Sequence, residues 1–218
     1  MLTTQAGAGD SPAPAPFVLR PPTFGDWVAC GDIDKTYYIA DPHAEAGVEA
    51  TMEFAVDPES AAKWFLALSK KSRSEINGLS MAEGKALFAL IKRQVPAFTT
   101  AIAEGAGIDA SGAVVIDLAH PLPGARGKIA QVTLRPPLVG DWIMCGNPSV
   151  QRVSVDNEVM DGAAPRRLEQ RIDRSAVNRW FMALSGLPEP ILHLMHYSDA
   201  MRLFAYMRQM LAGLDEGN

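Results

Sequence analysis

The sequence predicts an α+β fold of two tandem homologous units, each a small antiparallel sheet or hairpin packed with two or three helices. Three observations carry this expectation. An unusual phrase occurs twice, LRPPTFGDW at 19–27 and LRPPLVGDW at 134–142, and its flanks repeat too: FVLRPPTFGDWVACGD (17–32) aligns without gaps with VTLRPPLVGDWIMCGN (132–147). The match fades and then returns, pairing DPESAAKWFLALS (57–69) with DRSAVNRWFMALS (173–185) and AEGKALFALIKRQV (82–95) with SDAMRLFAYMRQML (198–211). Kept order and spacing mark two diverged copies of one unit. Within each copy, β-prone runs come first and helical periodicity follows, the sign of helices laid on a sheet. The boundaries that result are a disordered Ala/Pro-rich tail at 1–16, a first unit at 17–98, a linker at 99–112 and a second unit at 113–215.

Each element has a local reason. FVLR and QVTLR are short β-prone runs halted by Pro-Pro, which lacks amide donors and holds the preceding residue extended, so a strand is expected to end at Arg20 and again at Arg135. Thr23 then caps a short helix with Asp26 at its third position, a Thr-x-x-Asp form of the capping box. Leu138 stands at the matching place, so the cap there is expected to be weaker or different. Runs TYYIAD and TMEFAVD in the first copy, and QRVSVD and RRLEQRID in the second, predict a hairpin in each. Asp57 and Asp173 are N-caps for helices whose apolar positions recur at helical spacing: Ala61, Trp64, Phe65, Leu68 and Val177, Trp180, Phe181, Leu184. Final helices repeat the pattern at Ala86, Leu87, Leu90, Ile91 and at Leu203, Phe204, Met207, Leu211. Residues 113–135 read as two strands about a Pro-Gly turn. The first unit lacks an equivalent leading strand, because Ala-Pro repeats stand there instead.

Composition bounds the function. A chain of 218 residues with net charge −5 offers no long-range attraction to nucleic acid or anionic lipid. No apolar run reaches the roughly 20 residues of a membrane span, and the N-terminus lacks signal-peptide character, so a cytosolic protein is expected. Two cysteines, Cys30 and Cys145, are too few for a disulfide framework.

The stretch from Val114 to Leu211 carries a family resemblance. Leu118–Leu122 (LAHPL), Val132–Asp141 (VTLRPPLVGD), Ser185–Pro188 (SGLP) and Asp199 at the opening of the last helix together resemble the tail assembly chaperones of Mu-like and related tailed phages. The first half matches in LRPPTFGD, with SKKSRSEINGL in place of the Gly-Leu-Pro step. The resemblance implies a non-enzymatic chaperone working in the host cytoplasm, which binds the tape-measure protein and brings tail-tube subunits to it, with no cofactor. The alternative is a structural adaptor, or a baseplate or tail component, of a phage or phage-like particle, carried in the virion.

The residues leave two readings open at each candidate site. Arg20 with Asp26, and Arg135 with Asp141, form internal bridges that pin the turn or ion pairs aimed at a partner. Pro21, Gly25 and Asp26, with Pro136, Gly140 and Asp141, form a structural corner in which the glycine permits a tight or positive-φ turn. Trp27 and Trp142 anchor a partner or pack in the core. Met201, Met207 and Met210 line an adaptable apolar groove or fill the core. Catalysis is not expected: the four histidines occupy no equivalent places in the two copies, and neither a phosphate loop nor a nucleophile elbow occurs. The two units are expected to pair with each other about a pseudo-two-fold axis.

Overall fold

A computed structural model describes residues 17–40, 51–96, 107–154 and 166–215. The tail at 1–16 and most of the linker lie outside the described residues. The first half contains α1 (Phe24–Cys30), the hairpin β1 (Asp34–Ala40) and β2 (Thr51–Val56), then α2 (Pro58–Ser69), α3 (Arg73–Asn77) and α4 (Met81–Gln94). The second half adds a hairpin in front, β4 (Val114–Gly124) and β5 (Gly127–Leu134), preceded by the short β3 (Gly107–Ile108). It continues with α5 (Val139–Cys145), β6 (Ser149–Ser154), β7 (Arg166–Ile172), α6 (Arg174–Ser185), α7 (Glu189–Leu192) and α8 (Tyr197–Asp215). Helices and small antiparallel sheets make the fold α+β.

Caps set the helix starts. Thr23 accepts from the Asp26 amide while the Asp26 carboxylate accepts from Thr23, the reciprocal pair expected of Thr-x-x-Asp. Asp57 and Asp173 cap α2 and α6 from extended backbone. Ser72 and Ser80 close capping boxes with Glu75 and Glu83 at the starts of α3 and α4. Where α2 ends, Lys70 takes a left-handed φ of 56°, and Gly186 takes 67° at the end of α6. Only the second of these residues adopts that region without strain.

Three expectations are corrected. Phe17–Arg20 forms no strand, although the backbone amide of Arg20 still donates to Leu68 as that of Arg135 donates to Leu184, both at 3.0 Å. The matching run in the second half is a strand because β4 lies beside it, pairing Val114 with Leu134 and Ile116 with Val132. The end of the expected linker is also structured, since Gly107 and Ile108 pair with Val115 and Val114. The third correction concerns the pairing of the halves. The hairpins β1–β2 and β6–β7 merge into one sheet of order β2-β1-β7-β6, in which β1 and β7 run antiparallel, Tyr38 opposite Leu168. A two-fold axis would place β1 against β6, or β2 against β7. Here the first strand of one half meets the second strand of the other, so the halves stand head to tail.

Helices of both halves share one core. Phe24 and Trp27 of α1, Trp64 and Leu68 of α2, Leu87 and Ile91 of α4, and Trp180, Phe181, Leu203, Phe204 and Met207 of the second half are essentially excluded from solvent. Trp64 Nε1 donates to the carbonyl of Gly31 at 2.7 Å, and Trp180 Nε1 donates to that of Gly146 at 2.8 Å, so each ring satisfies its one polar atom where the corner helix ends. The helices of the second half pack on β4 and β5, with Ile116, Leu118, Leu122, Val132 and Leu134 turned inward.

Two substitutions test this packing. Trp180→Ala removes a fully buried ring together with its bond to Gly146, and should lower stability by roughly 3–5 kcal/mol in urea denaturation; a loss below about 1 kcal/mol would show that the ring is not in the core. Gly25→Ala would bring a methyl group within 2.9 Å of the His193 Cβ and carbonyl oxygen. A loss of about 1–3 kcal/mol is expected from that crowding, read from the same denaturation curves.

Candidate functional site

The doubled phrase folds as a corner closed by charge. Pro21 and Pro22 end the extended approach, α1 begins two residues later, and Arg20 folds back so that Nη1 and Nη2 bond the two Asp26 oxygens at 2.6 and 2.5 Å. Arg20 Nε also donates to the carbonyl of Ala67 at 3.0 Å, tying the corner to the end of α2. The second corner repeats the fork, Arg135 to Asp141 at 2.7 Å on both arms, and the Leu138 amide donates to the same carboxylate at 2.8 Å. Leu138 supplies no side-chain cap. Both Arg–Asp pairs are therefore spent inside the fold.

Charge balance follows from the geometry. Burial pushes the Asp26 carboxyl upward, but the Arg20 hydrogen bond and charge and the Thr23 amide outweigh it, leaving the group below its ordinary value. At Asp141 the Arg135 hydrogen bond is the largest influence and holds the carboxyl low against burial. The nearby thiols move the other way. Burial, helped by the Asp26 charge, pushes Cys30 up to about 11, and burial raises Cys145 too. Neither is a poised nucleophile at neutral pH.

The two glycines of the corner do not serve as expected. Gly25 and Gly140 are absent from the positive-φ positions, which fall at Gly31 (81°) and Gly146 (73°), where the corner helices end. Gly25 is needed for close approach instead: its neighbourhood is filled by His193, while the amides of Phe24 and Gly25 donate to the Met195 and His193 carbonyls at 2.8 and 3.1 Å. Around Gly140 there is nothing within 4 Å of where a Cβ would stand.

The remaining candidates divide by burial. Trp27 is wholly enclosed, its Nε1 donating to Asp32 at 3.0 Å and its ring stacked near Phe24, so no partner reaches it. Trp142 is half-buried, with its ring centroid 6.2 Å from that of Trp180. Met207 is core, and Met201 and Met210 are half-buried against the same cluster, so the three line no open groove. Apolar exposure lies elsewhere. Leu138, Val139, Ile143 and Met144, at and along α5, are 61, 76, 77 and 69% exposed. Sequence periodicity gave no warning of this face, because a seven-residue helix is too short to display a pattern.

A polar knot lies where β4 meets the start of α8. Asp199 is fully buried and accepts from the amides of Ala119 and His120 at 3.0 Å each, while the His120 and His196 rings stack 3.8 Å apart. It sits where β4 shifts register between Asp117 and Leu122. The carboxylate satisfies amides that the shift frees from the ladder. The available signal was the acidic residue opening the last helix together with His-Pro inside a strand. At the matching surface of the first half no such strand occurs among the described residues, and an open groove of about 460 Å³ runs between Phe17, Val18, Lys71, Leu79 and Glu83.

Among the described residues no group of three His, Cys, Asp or Glu side chains is placed to hold a metal ion, and no helix is long and apolar enough to cross a membrane. Comparison with known proteins returned no matching family model, no matching curated sequence and no matching solved structure.

Acid should loosen the corners. Both carboxyls lie below their ordinary value in the folded chain, so the stability they contribute is complete above the unfolded value of about 4 and is lost as pH falls through the folded one. Urea midpoints measured from pH 6 down to pH 3 should fall, and Asp26→Asn should flatten that decline more than Asp141→Asn, whose Arg135 partner is the more exposed. An unchanged acid limb in Asp26→Asn would mean that the bridge does not couple to folding.

Proposed function

We propose that the chain is two fused, diverged copies of one unit and works as a non-enzymatic assembly factor of the phage tail chaperone kind. In this reading it acts in the host cytoplasm, keeps the apolar helices of a tape-measure protein soluble and helps bring tail-tube subunits to it. The observation that carries the reading is the uncovered apolar face of α5, where four large side chains lie open on a short helix. A contiguous apolar surface of this kind is the mark of a protein that acts by covering or joining others.

Further geometry supports the duplication. Positions paired by the sequence alignment hold the same local structure: the Arg–Asp forks, the N-caps at Asp57 and Asp173, the left-handed Lys70 and Gly186, and the Trp64 and Trp180 bonds to the corner glycines. The non-enzymatic part of the reading is supported by where ionisable groups are spent. Asp26, Asp141 and Asp199 each satisfy internal donors, and the two thiols are held protonated.

A second reading, a structural component of a tail or phage-like particle, is favoured by one observation, the head-to-tail order of the shared sheet. Repeating contacts of that kind build rings and tubes.

Co-expression with overlapping fragments of the tape-measure protein from the same genome, followed by affinity capture, tests the first reading. The expected outcome is a soluble complex with at least one apolar helical fragment, and absence of the chain from purified particles. No capture by any fragment, together with retention in mature particles, would replace the chaperone with the structural component.

A further inference from the structure

We infer that this chain associates with further copies of itself head to tail, the α5 face and β6 edge of one copy seating on the α2–α4 face and β2 edge of the next. The inference uses the same α5 face as the tape-measure reading but does not need it, since its argument is how the two halves of one chain already fit together.

Inside the chain, α1 docks on the second half. Phe24 lies 4.9 Å from Phe181 and 6.0 Å from His193 between ring centroids, and its amide bonds Met195. The sequence alignment places α5 where α1 stands, with Val139 for Phe24, Gly140 for Gly25 and Ile143 for Val28. Phe24 is fully buried, whereas Val139 and Ile143 are open, since no helix layer lies over them among the described residues.

The receiving surface shows the complementary difference. Phe181, Leu192, Met195 and Tyr197 are buried under or beside α1. Their aligned positions in the first half are Phe65, Ile76, Leu79 and Met81; the first three are half-buried and Met81 is 78% exposed. One end of the chain thus carries an uncovered insert and the other an uncovered socket, both halves of a contact that the interior has already formed once.

The sheet points the same way. In β2-β1-β7-β6 the internal junction joins the first strand of one half to the second strand of the other. The outer strands are therefore β6, a first strand, and β2, a second strand, and neither outer edge is paired among the described residues. Joining β6 of one copy to β2 of the next repeats the β1–β7 junction, and a repeated heterologous junction either closes into a ring or continues as a helix. Gly140 fits the same operation. Nothing in its own chain approaches it, but at the matching place Gly25 makes room for the α7 backbone. Asn77 of the next copy would arrive there. One clamp is not repeated: Arg174 bonds the Val28 carbonyl across the internal junction at 2.7 Å, and its aligned position is Pro58. The contact between copies is accordingly the weaker of the two and reversible.

Sedimentation velocity of the full chain over a range of concentrations tests the inference. Species larger than a dimer should accumulate as concentration rises. Ile143→Glu combined with Met144→Glu, both on the open face, should weaken association at least about tenfold and leave the thermal unfolding curve unchanged. Met81→Glu on the socket side should do the same. The decisive sample is the mixture of the two variants: each keeps one intact surface, so together they should form a capped 1:1 dimer that neither forms alone. A chain that stays monomeric at its highest soluble concentration overturns the proposal. So does an α5 variant that still assembles, or a mixture that does not pair, since a symmetric dimer through α5 would not be rescued by mixing.

Discussion

Each proline corner is held by one carboxylate that accepts an arginine fork on one side and an amide at the helix start on the other. Because Pro-Pro removes two backbone donors and forbids a ladder, the chain at that point has no regular hydrogen bonding to fix its direction. The Arg–Asp fork supplies the direction instead. It sets where α1 and α5 leave, and so where Gly31 and Gly146 present their carbonyls to the buried tryptophans of α2 and α6. The tryptophans in turn fix the helices on which the rest of the core is built. A charge-assisted pair that is partly exposed contributes modest stability by itself; its weight here comes from what is aligned behind it.

Much of this was legible in the sequence, for identifiable reasons. Thr23 with Asp26, Asp57 and Asp173 announce helix starts because a cap needs one side-chain oxygen at one position, and local sequence decides whether it is there. The hairpins were legible from β-prone runs ending at those caps. What remained hidden depends on contacts between distant segments. Phe17–Arg20 has the letters of a strand, but no strand pairs with it among the described residues, a condition that no propensity records. Trp27 and Trp142 share the same phrase and differ in burial, the first enclosed by the shared core and the second only half-covered. Gly25 has the look of a turn residue in the sequence, but its reason is His193, at the end of α7, lying against it. The order of strands in the shared sheet was beyond reach altogether, since unpaired backbone edges look alike in every sequence.

Asp199 illustrates how a polar group is accepted in a core. An isolated carboxylate at zero exposure would be costly, yet here the register shift of β4 leaves the amides of Ala119 and His120 without ladder partners, and the carboxylate takes both. Arg202 adds its own bond to the Asp117 carbonyl beside it. The irregular strand and the buried acid are therefore one feature: removing either leaves the other unsatisfied. The first half has no equivalent of β4 among the described residues, and there Glu83 stays at the surface as a cap for α4.

The junction of β1 with β7 has a consequence in time. A ribosome releases the first half well before β7 exists, so the inner edge of β1 must wait for a partner made much later in the same chain. During that wait the earliest β7 to arrive belongs to whichever molecule has finished first. A β7 from a neighbouring molecule matches that edge as well as the chain's own, so the long separation of β1 from β7 is an opening for exchange of halves between molecules.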